Sequence, residues 1–352
     1  MREVFMIRFS GFYVLIPALV ALLGVNKNDY PLTGPERNTF TNPLLTSGPD
    51  PWVEQKDDWY YVTHTTGKDL KLYRTKKMSE LPHADVKTIW TPPATGMNSK
   101  QIWAPEIHFL RGKWYFYYAA DDGNNENHRM WVLENEAADP FTGTWIDKGE
   151  IELPGDKWAI DGTAFEHNGQ LYFLWSGWEG DVNLRQDIYI TKMANPWTTE
   201  GDRILLSKPE YDWEIKGGKP AINEAPQFLA RDDRLFIFFS ASGCWTDDYA
   251  MGVLMALAAS NPLEPSSWTK LVDPIFEKDA SAKAFGPGHN SFFTSPDGTE
   301  DWILYHANPE SGQGCGGKRS TRMQKFGWMN GIPDFGNPVA LGTAIEQPSG
   351  EK

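Results

Sequence analysis

Cysteine is nearly missing from this chain: Cys244 and Cys315 are the only two in 352 residues. With no C-x-x-C pair and no histidine–cysteine spacing that suits zinc, a metal-knotted or disulfide-framework domain is excluded. Basic charge is scarce too, 33 Lys+Arg against 47 Asp+Glu for a net charge of −14. A nucleic-acid or anionic-membrane partner draws on clustered positive charge and is therefore not expected. Long apolar runs are confined to Phe9–Gly24, and no Asn-x-Ser/Thr sequon occurs, so N-glycans are not expected. The metalloprotease, nucleophile-elbow and dinucleotide signatures are absent as well. Gly312–Lys318 nearly spells a phosphate loop. It is rejected because Arg319 takes the place of the magnesium-binding hydroxyl and the run leads into a strand rather than a helix.

Phe9–Gly24 lies behind Arg2 and Arg8 and is shorter than the ~20 residues that cross a bilayer comfortably. It reads as a secretory signal, although no clean small-x-small cleavage triplet stands near Gly24. An uncleaved anchor and a buried core helix are the alternatives. The expected organisation is a signal over residues 1–24, a polar linker over 25–42 and a single domain over 43–349. The protein is then secreted and a monomer, with no membrane partner beyond such an anchor. Export also lets Cys244 and Cys315 pair, which would contribute about 4 kcal/mol in the chain-entropy model. Two separate thiols are the other reading.

What the chain has in quantity is aromatic and turn-forming residues: Trp 16, Tyr 13, Phe 19, beside Gly 32 and Pro 25. Together they favour sheet over a helical bundle. The 40% of hydrophobic residues is enough for a sizeable core. A repeat runs through it. Segments opening at Asp50, Trp103, Asp161, Glu224 and His289 are each followed by a turn and an aromatic run such as Trp114–Tyr118 or Leu235–Phe239. Third strands are expected over 70–76, 129–135, 187–193, 250–256 and 321–326, and fainter fourth strands over 86–90, 145–151, 203–207 and 268–272. The openings are 53 to 65 positions apart, a spacing suited to four-stranded blades with generous loops. The expected fold is all-β, a five-bladed β-propeller, with a β-sandwich as the alternative.

In a propeller the innermost strands line the central channel, so their starts converge at one end of the axis. Asp50, Asp161 and Glu224 would then share a cavity with Trp103 and His289. A lone Asp at a strand start is ordinarily a turn cap. Three carboxylates brought to one place repel each other and shift each other's protonation, an arrangement suited to acid–base work. Hydrolysis of a glycosidic bond needs one carboxylic acid to protonate the leaving oxygen and one carboxylate to activate water. The residues alone leave the assignment open, although the apolar neighbours and longer reach of Glu224 favour it as the acid.

Gly48-Pro49-Asp50-Pro51, Trp103-Ala104-Pro105-Glu106, Ile160-Asp161-Gly162, Asn223-Glu224-Ala225-Pro226 and Gly286-Pro287-Gly288-His289-Asn290, in this order, resemble glycoside hydrolase family 43. The resemblance implies an inverting mechanism with Asp50 as general base, Glu224 as general acid and Asp161 as the carboxylate that tunes and orients the acid. It also implies that Arg322 contacts the sugar and that His289 lies near the channel axis, with a possible calcium ion beside it and no other cofactor. Trp103 offers a flat apolar face to a sugar ring, and Arg322 a rigid donor fork. His108, His128 and His306 read as structural, and Asp121-Asp122 and Asp247-Asp248 as turn residues.

The expected function is exo-acting removal of α-L-arabinofuranosyl groups from plant polysaccharide. A β-xylosidase or endo-arabinanase of the same family, and a non-catalytic carbohydrate-binding propeller, are the alternatives. Polar inserts over 121–128, 178–186 and 309–319 would wall the cleft into a pocket and favour exo action.

Overall fold

In a strand buried on both faces, every residue must be apolar, and the two faces alternate along the chain. The aromatic runs obey this rule. Trp114, Phe116 and Tyr118 pack with Tyr61, Leu70 and Leu72 of the preceding repeat, while Tyr115, Tyr117 and Ala119 pack with Phe173 and Trp175 of the next. The same division recurs at each remaining junction, so five apolar clusters fill five spaces between neighbouring sheets.

The computed structural model describes residues 38–352; the Phe9–Gly24 segment and most of the expected linker lie outside the described residues. Five blades of four antiparallel strands follow one another. Their innermost strands are Trp52–Lys56, Lys100–Leu110, Ala159–His167, Ala221–Arg231 and Phe285–Thr294. Each touches the next, and the fifth returns to the first. This closed ring is a β-propeller and excludes the sandwich. Blades III and IV are further tied by a short parallel pairing of Arg185 and Gln186 with Ala221 and Ile222.

Third strands form at Leu70–Thr75, Arg129–Asn135, Arg185–Asn195, Ala250–Leu257 and Ser320–Met329, as the repeat requires. The outer strands differ more. That of blade IV shrinks to Thr269–Lys270, because Trp268 is buried and donates its indole N–H to Pro262 O at 2.9 Å. Blade V gains Ile332–Asp334, which was not foreseen.

The linker boundary at residue 42 moves. Thr39–Thr41 forms a strand with Ala344–Glu346, and the Asn42 side chain bonds both the amide and the carbonyl of Met323, at 3.0 and 2.9 Å. Leu44 N donates to Thr321 O, while Phe40 and Leu44 join the apolar cluster between blades V and I. The stretch from Thr39 therefore belongs to the folded unit and straps its last blade to its first.

Candidate active site

At the channel mouth each innermost strand, or the residue leading into it, is kinked in the left-handed region at an equivalent position: Asp50, Ala104, Asp161, Ala225 and His289, with φ between 40 and 55°. In blades II to V the pairing register slips at this point. Such bulges re-aim side chains out of the sheet. Trp103 and Glu224 thus sit one residue before the kink, whereas Asp50, Asp161 and His289 occupy it. Most of the amides freed there find side-chain acceptors. Ala104 N donates to Thr65 Oγ1 at 2.7 Å, Ala225 N to Asp161 Oδ2 at 2.9 Å, His289 N to Ser240 Oγ at 2.8 Å and Asp50 N to His306 Nδ1 at 3.0 Å.

The strand starts open on a cavity of about 660 Å³ whose lining includes Asp50, Trp103, Asp161, Glu224 and His289. The three inserts supply part of its wall, through Asn125, Gln186 and the Cys315–Arg319 stretch. Cys244 and Cys315 are joined in a disulfide, and both line the cavity.

The three carboxyls occupy different electrostatic surroundings. Burial alone would push Asp50 up, but the Arg319 guanidinium, 2.5 Å from its Oδ1, holds it well below the usual carboxylate range. Burial lowers His289 to about 4 and His306 to about 3. Both rings are therefore neutral near pH 7, and Arg319 is the cation that keeps Asp50 ionised. Glu224 is pushed up to about 7 by burial and by the charge on Asp50, against a 2.8 Å bond from the Tyr249 hydroxyl. Asp161 is raised by burial and by repulsion from Glu224 and Asp50.

Of this pair, Glu224 is the better seat for the proton. The Ala225 N–H can only donate and bonds more strongly to an ionised oxygen on Asp161, whereas the Tyr249 hydroxyl can donate to or accept from Glu224.

Trp103 lines the cavity with one face stacked on His128, centroids 4.1 Å apart and planes at 26°. His128 is itself buried, its Nδ1 2.9 Å from Asp121 Oδ2. Asp121 is thus a buried partner of that ring rather than a solvated turn residue, although it does accept the Gly123 amide.

Arg322 is not at the cavity. It is fully buried and donates to Ser320 Oγ, Lys283 O and Ala307 O. Strand alternation explains the error. Arg319, Thr321 and Met323 share the face towards blade I, where Thr321 Oγ1 bonds Gly48 O and Met323 packs with Val53; Arg322 and Phe326 share the opposite face. A three-residue offset puts the two guanidiniums on opposite sides of one sheet, so Arg319 takes the place assigned to Arg322.

His306, read as structural, is a buried ring that holds the Asp50 amide. Its position carried a signal: it continues the alternation of Trp302 and Leu304, which face blade I, so a polar residue there points at that blade's innermost strand.

Calcium beside His289 fits poorly. Among the described residues no group of three or more His, Cys, Asp or Glu is placed to hold an ion. The carboxylate next to His289 is Asp50, whose Oδ1 already receives Arg319. A cation that takes about six to eight oxygens meets one occupied carboxylate and a guanidinium there.

The chain is similar to known proteins over most of its length. The model of glycosyl hydrolases family 43 matches residues 40–333. An extracellular exo-α-(1→5)-L-arabinofuranosidase of Streptomyces avermitilis is 40% identical over 314 residues, covering 86% of this chain and 64% of its own length. A protein of the same description from Streptomyces chartreusis is 38% identical, covering 82% of this chain and 87% of its own. Among solved structures, an α-L-arabinofuranosidase from Lactobacillus brevis superposes with a TM-score of 0.81 at 36% identity, covering 86% and 98% of the two chains. The present chain thus spans less than two thirds of the Streptomyces avermitilis relative.

Proposed function

Because the chain belongs to glycosyl hydrolases family 43, we propose that it is an exo-acting α-L-arabinofuranosidase that cleaves terminal arabinofuranosyl groups from plant polysaccharide with inversion. The observation that carries this reading is the different surroundings of two carboxyls lining one cavity: Asp50 carries the Arg319 guanidinium on Oδ1, whereas Glu224 is met by the Tyr249 hydroxyl. Asp50 is held ionised by Arg319, and Glu224 is held protonated up to about pH 7.

Glu224 gives its proton to the departing glycosidic oxygen while Asp50 takes one from the attacking water. Bonds break and form on opposite faces of the sugar, so the product anomer is inverted. Asp161, which accepts the amide of Ala225 next to Glu224, orients the acid, and burial together with the charge on Asp50 keeps Glu224 protonated. Trp103 and Arg319 offer the sugar a ring face and a donor fork. A pocket walled by three inserts receives a chain end more readily than a chain middle, which supports exo action. The names of the two Streptomyces relatives support both export and the arabinofuranosyl preference. A monomer in solution belongs to the same reading.

Nitrophenyl α-L-arabinofuranoside and β-D-xyloside, assayed in parallel, test the sugar. The arabinofuranoside is expected to be hydrolysed faster, and the reverse order would make the protein a xylosidase. Debranched arabinan should release single arabinose units; oligomers alone would overturn the exo assignment. Glu224→Ala should reduce turnover by about 10²–10⁴-fold; unchanged turnover would take the acid's role from Glu224, and no turnover by the unaltered chain would leave only a binding propeller.

A further inference from the structure

The loop between the second and third strands of blade V, residues 309–319, contains Gly312, Gly314, Gly316 and Gly317. Its backbone is as free as sequence can make it, yet it ends in the guanidinium that must rest on one oxygen of Asp50. Two polar attachments restrain its first half. Asp247 accepts the Gly312 amide at 2.8 Å and the Ser311 hydroxyl, and Asn308 Nδ2 donates to Gly314 O at 2.9 Å. After them comes the bridge from Cys315 to Cys244. Only Gly316, Gly317 and Lys318 separate that bridge from Arg319.

We propose that the Cys244–Cys315 disulfide is a positioning strap for Arg319, so that the oxidation state of the bridge sets how firmly the guanidinium holds Asp50 and at what pH the cavity becomes competent. The proposal rests on the reading of Asp50 as the base.

Cys315 is solvent-exposed and both cysteines line the cavity, so a small dithiol reaches them. Two electrons and two protons convert the bridge to two thiols, and dithiothreitol, which supplies them, closes to its own cyclic disulfide. The groups facing Asp50 are Arg319, His289, His306, His64, Asp161, Glu224 and Tyr249. Of these only Arg319 is carried by the strapped loop. Loosening it leaves Asp50 among neutral rings and two carboxyls. The carboxylate then protonates at higher pH, and the acid limb of kcat/KM follows it upward.

The test is the pH dependence of kcat/KM for nitrophenyl α-L-arabinofuranoside. Three forms are compared: the oxidised enzyme, the dithiothreitol-reduced enzyme with two thiols counted, and the Cys244→Ser/Cys315→Ser double variant. Rates are divided by the folded fraction measured by circular dichroism at each pH, so partial unfolding does not move the midpoint. If the double variant fails to fold, the reduced wild type carries the test.

Reduction should move the midpoint up by about half a unit to one unit, reversibly. Arg319→Gln should move it by about one to three units and abolish any response to dithiol. A midpoint unmoved by reduction, or an Arg319→Gln enzyme that still responds, overturns the strap. If instead Asp50→Asn retains full activity, the underlying reading of the base fails, an outcome separate from a bridge that is merely structural.

Discussion

The Tyr249 hydroxyl lies 2.8 Å from Glu224 Oε1 and donates to it. It can serve either protonation state, but a bond to a charged acceptor is the stronger, so it favours ionised Glu224 and works against burial. Tyr249→Phe removes that donor, and the Glu224 pKa must rise from about 7. The basic limb of kcat/KM, set by loss of the acid's proton, should therefore move to higher pH by up to about one unit. A pH–rate profile checks this, and a downward shift would refute it. At this scale the sequence exposed Asp50, Asp161 and Glu224, because each opens a strand with polar chemistry in an otherwise apolar repeat. Arg319, Tyr249 and His306 were harder to see. Arg319 and Tyr249 come from connections whose path no periodicity encodes, and His306 is visible only once strand parity shows which neighbour it faces.

At the scale of the element, the kink at each strand start is what turns a wall of the channel into a site. Asp161 sits at such a kink with φ 55°, and Gly162 follows it. A Cβ on Gly162 would stand 2.3 Å from Phe173 Cζ and 2.7 Å from Met130 Cε. Both belong to the apolar cluster between blades II and III, which has no slack to give. Gly162→Ala is expected to cost about 1–3 kcal/mol and to reduce kcat, since relief of the clash displaces Asp161. Gly327→Ala, where nothing lies within 4 Å, serves as the control and should do neither. Thermal melts and kcat for both variants decide the matter, and equal effects would sink the argument. Long elements with alternating burial were legible for the same reason that Gly162 is constrained: tight packing between sheets dictates residue type at every position. The three-residue strands Thr39–Thr41, Ile332–Asp334 and Ala344–Glu346 are too short to carry a period.

Taken whole, the molecule gathers carboxyls into its axis at more than one level. Further along the innermost strands, Glu106 accepts Gln227 Nε2 at 2.7 Å and lies 2.8 Å from His108 Nε2. Glu54 accepts the Phe109 amide nearby. Burial pushes Glu54 up to about 7, against His108 and the Phe109 amide, and it raises Glu106 as well. With Glu224 and Asp161, four carboxyls hold protons more tightly in the folded chain than in the unfolded one. A raised pKa contributes stability that is fully present below the ordinary value of 4.5 and is lost as pH climbs to about 7, because the unfolded chain then gives up protons the folded one keeps. Asp50 acts in the opposite sense, but only below 3.8. The net charge of −14 at pH 7 adds self-repulsion in the same direction as the four. The rings of His289 and His306, lowered from 6.5 to about 4 and about 3, act in the opposite sense below pH 6.5, so the slope is read above that value, where the melting temperature should fall on going to pH ~8. Glu54→Gln, which keeps an acceptor for the Phe109 amide and lies outside the cavity, should flatten that slope while leaving kcat unchanged. Calorimetry across the range is the check. A melting temperature that rises with pH across it, or a slope indifferent to Glu54, would mean that these carboxyls are already ionised in the fold, and the proton assigned to Glu224 would lose its physical basis with them.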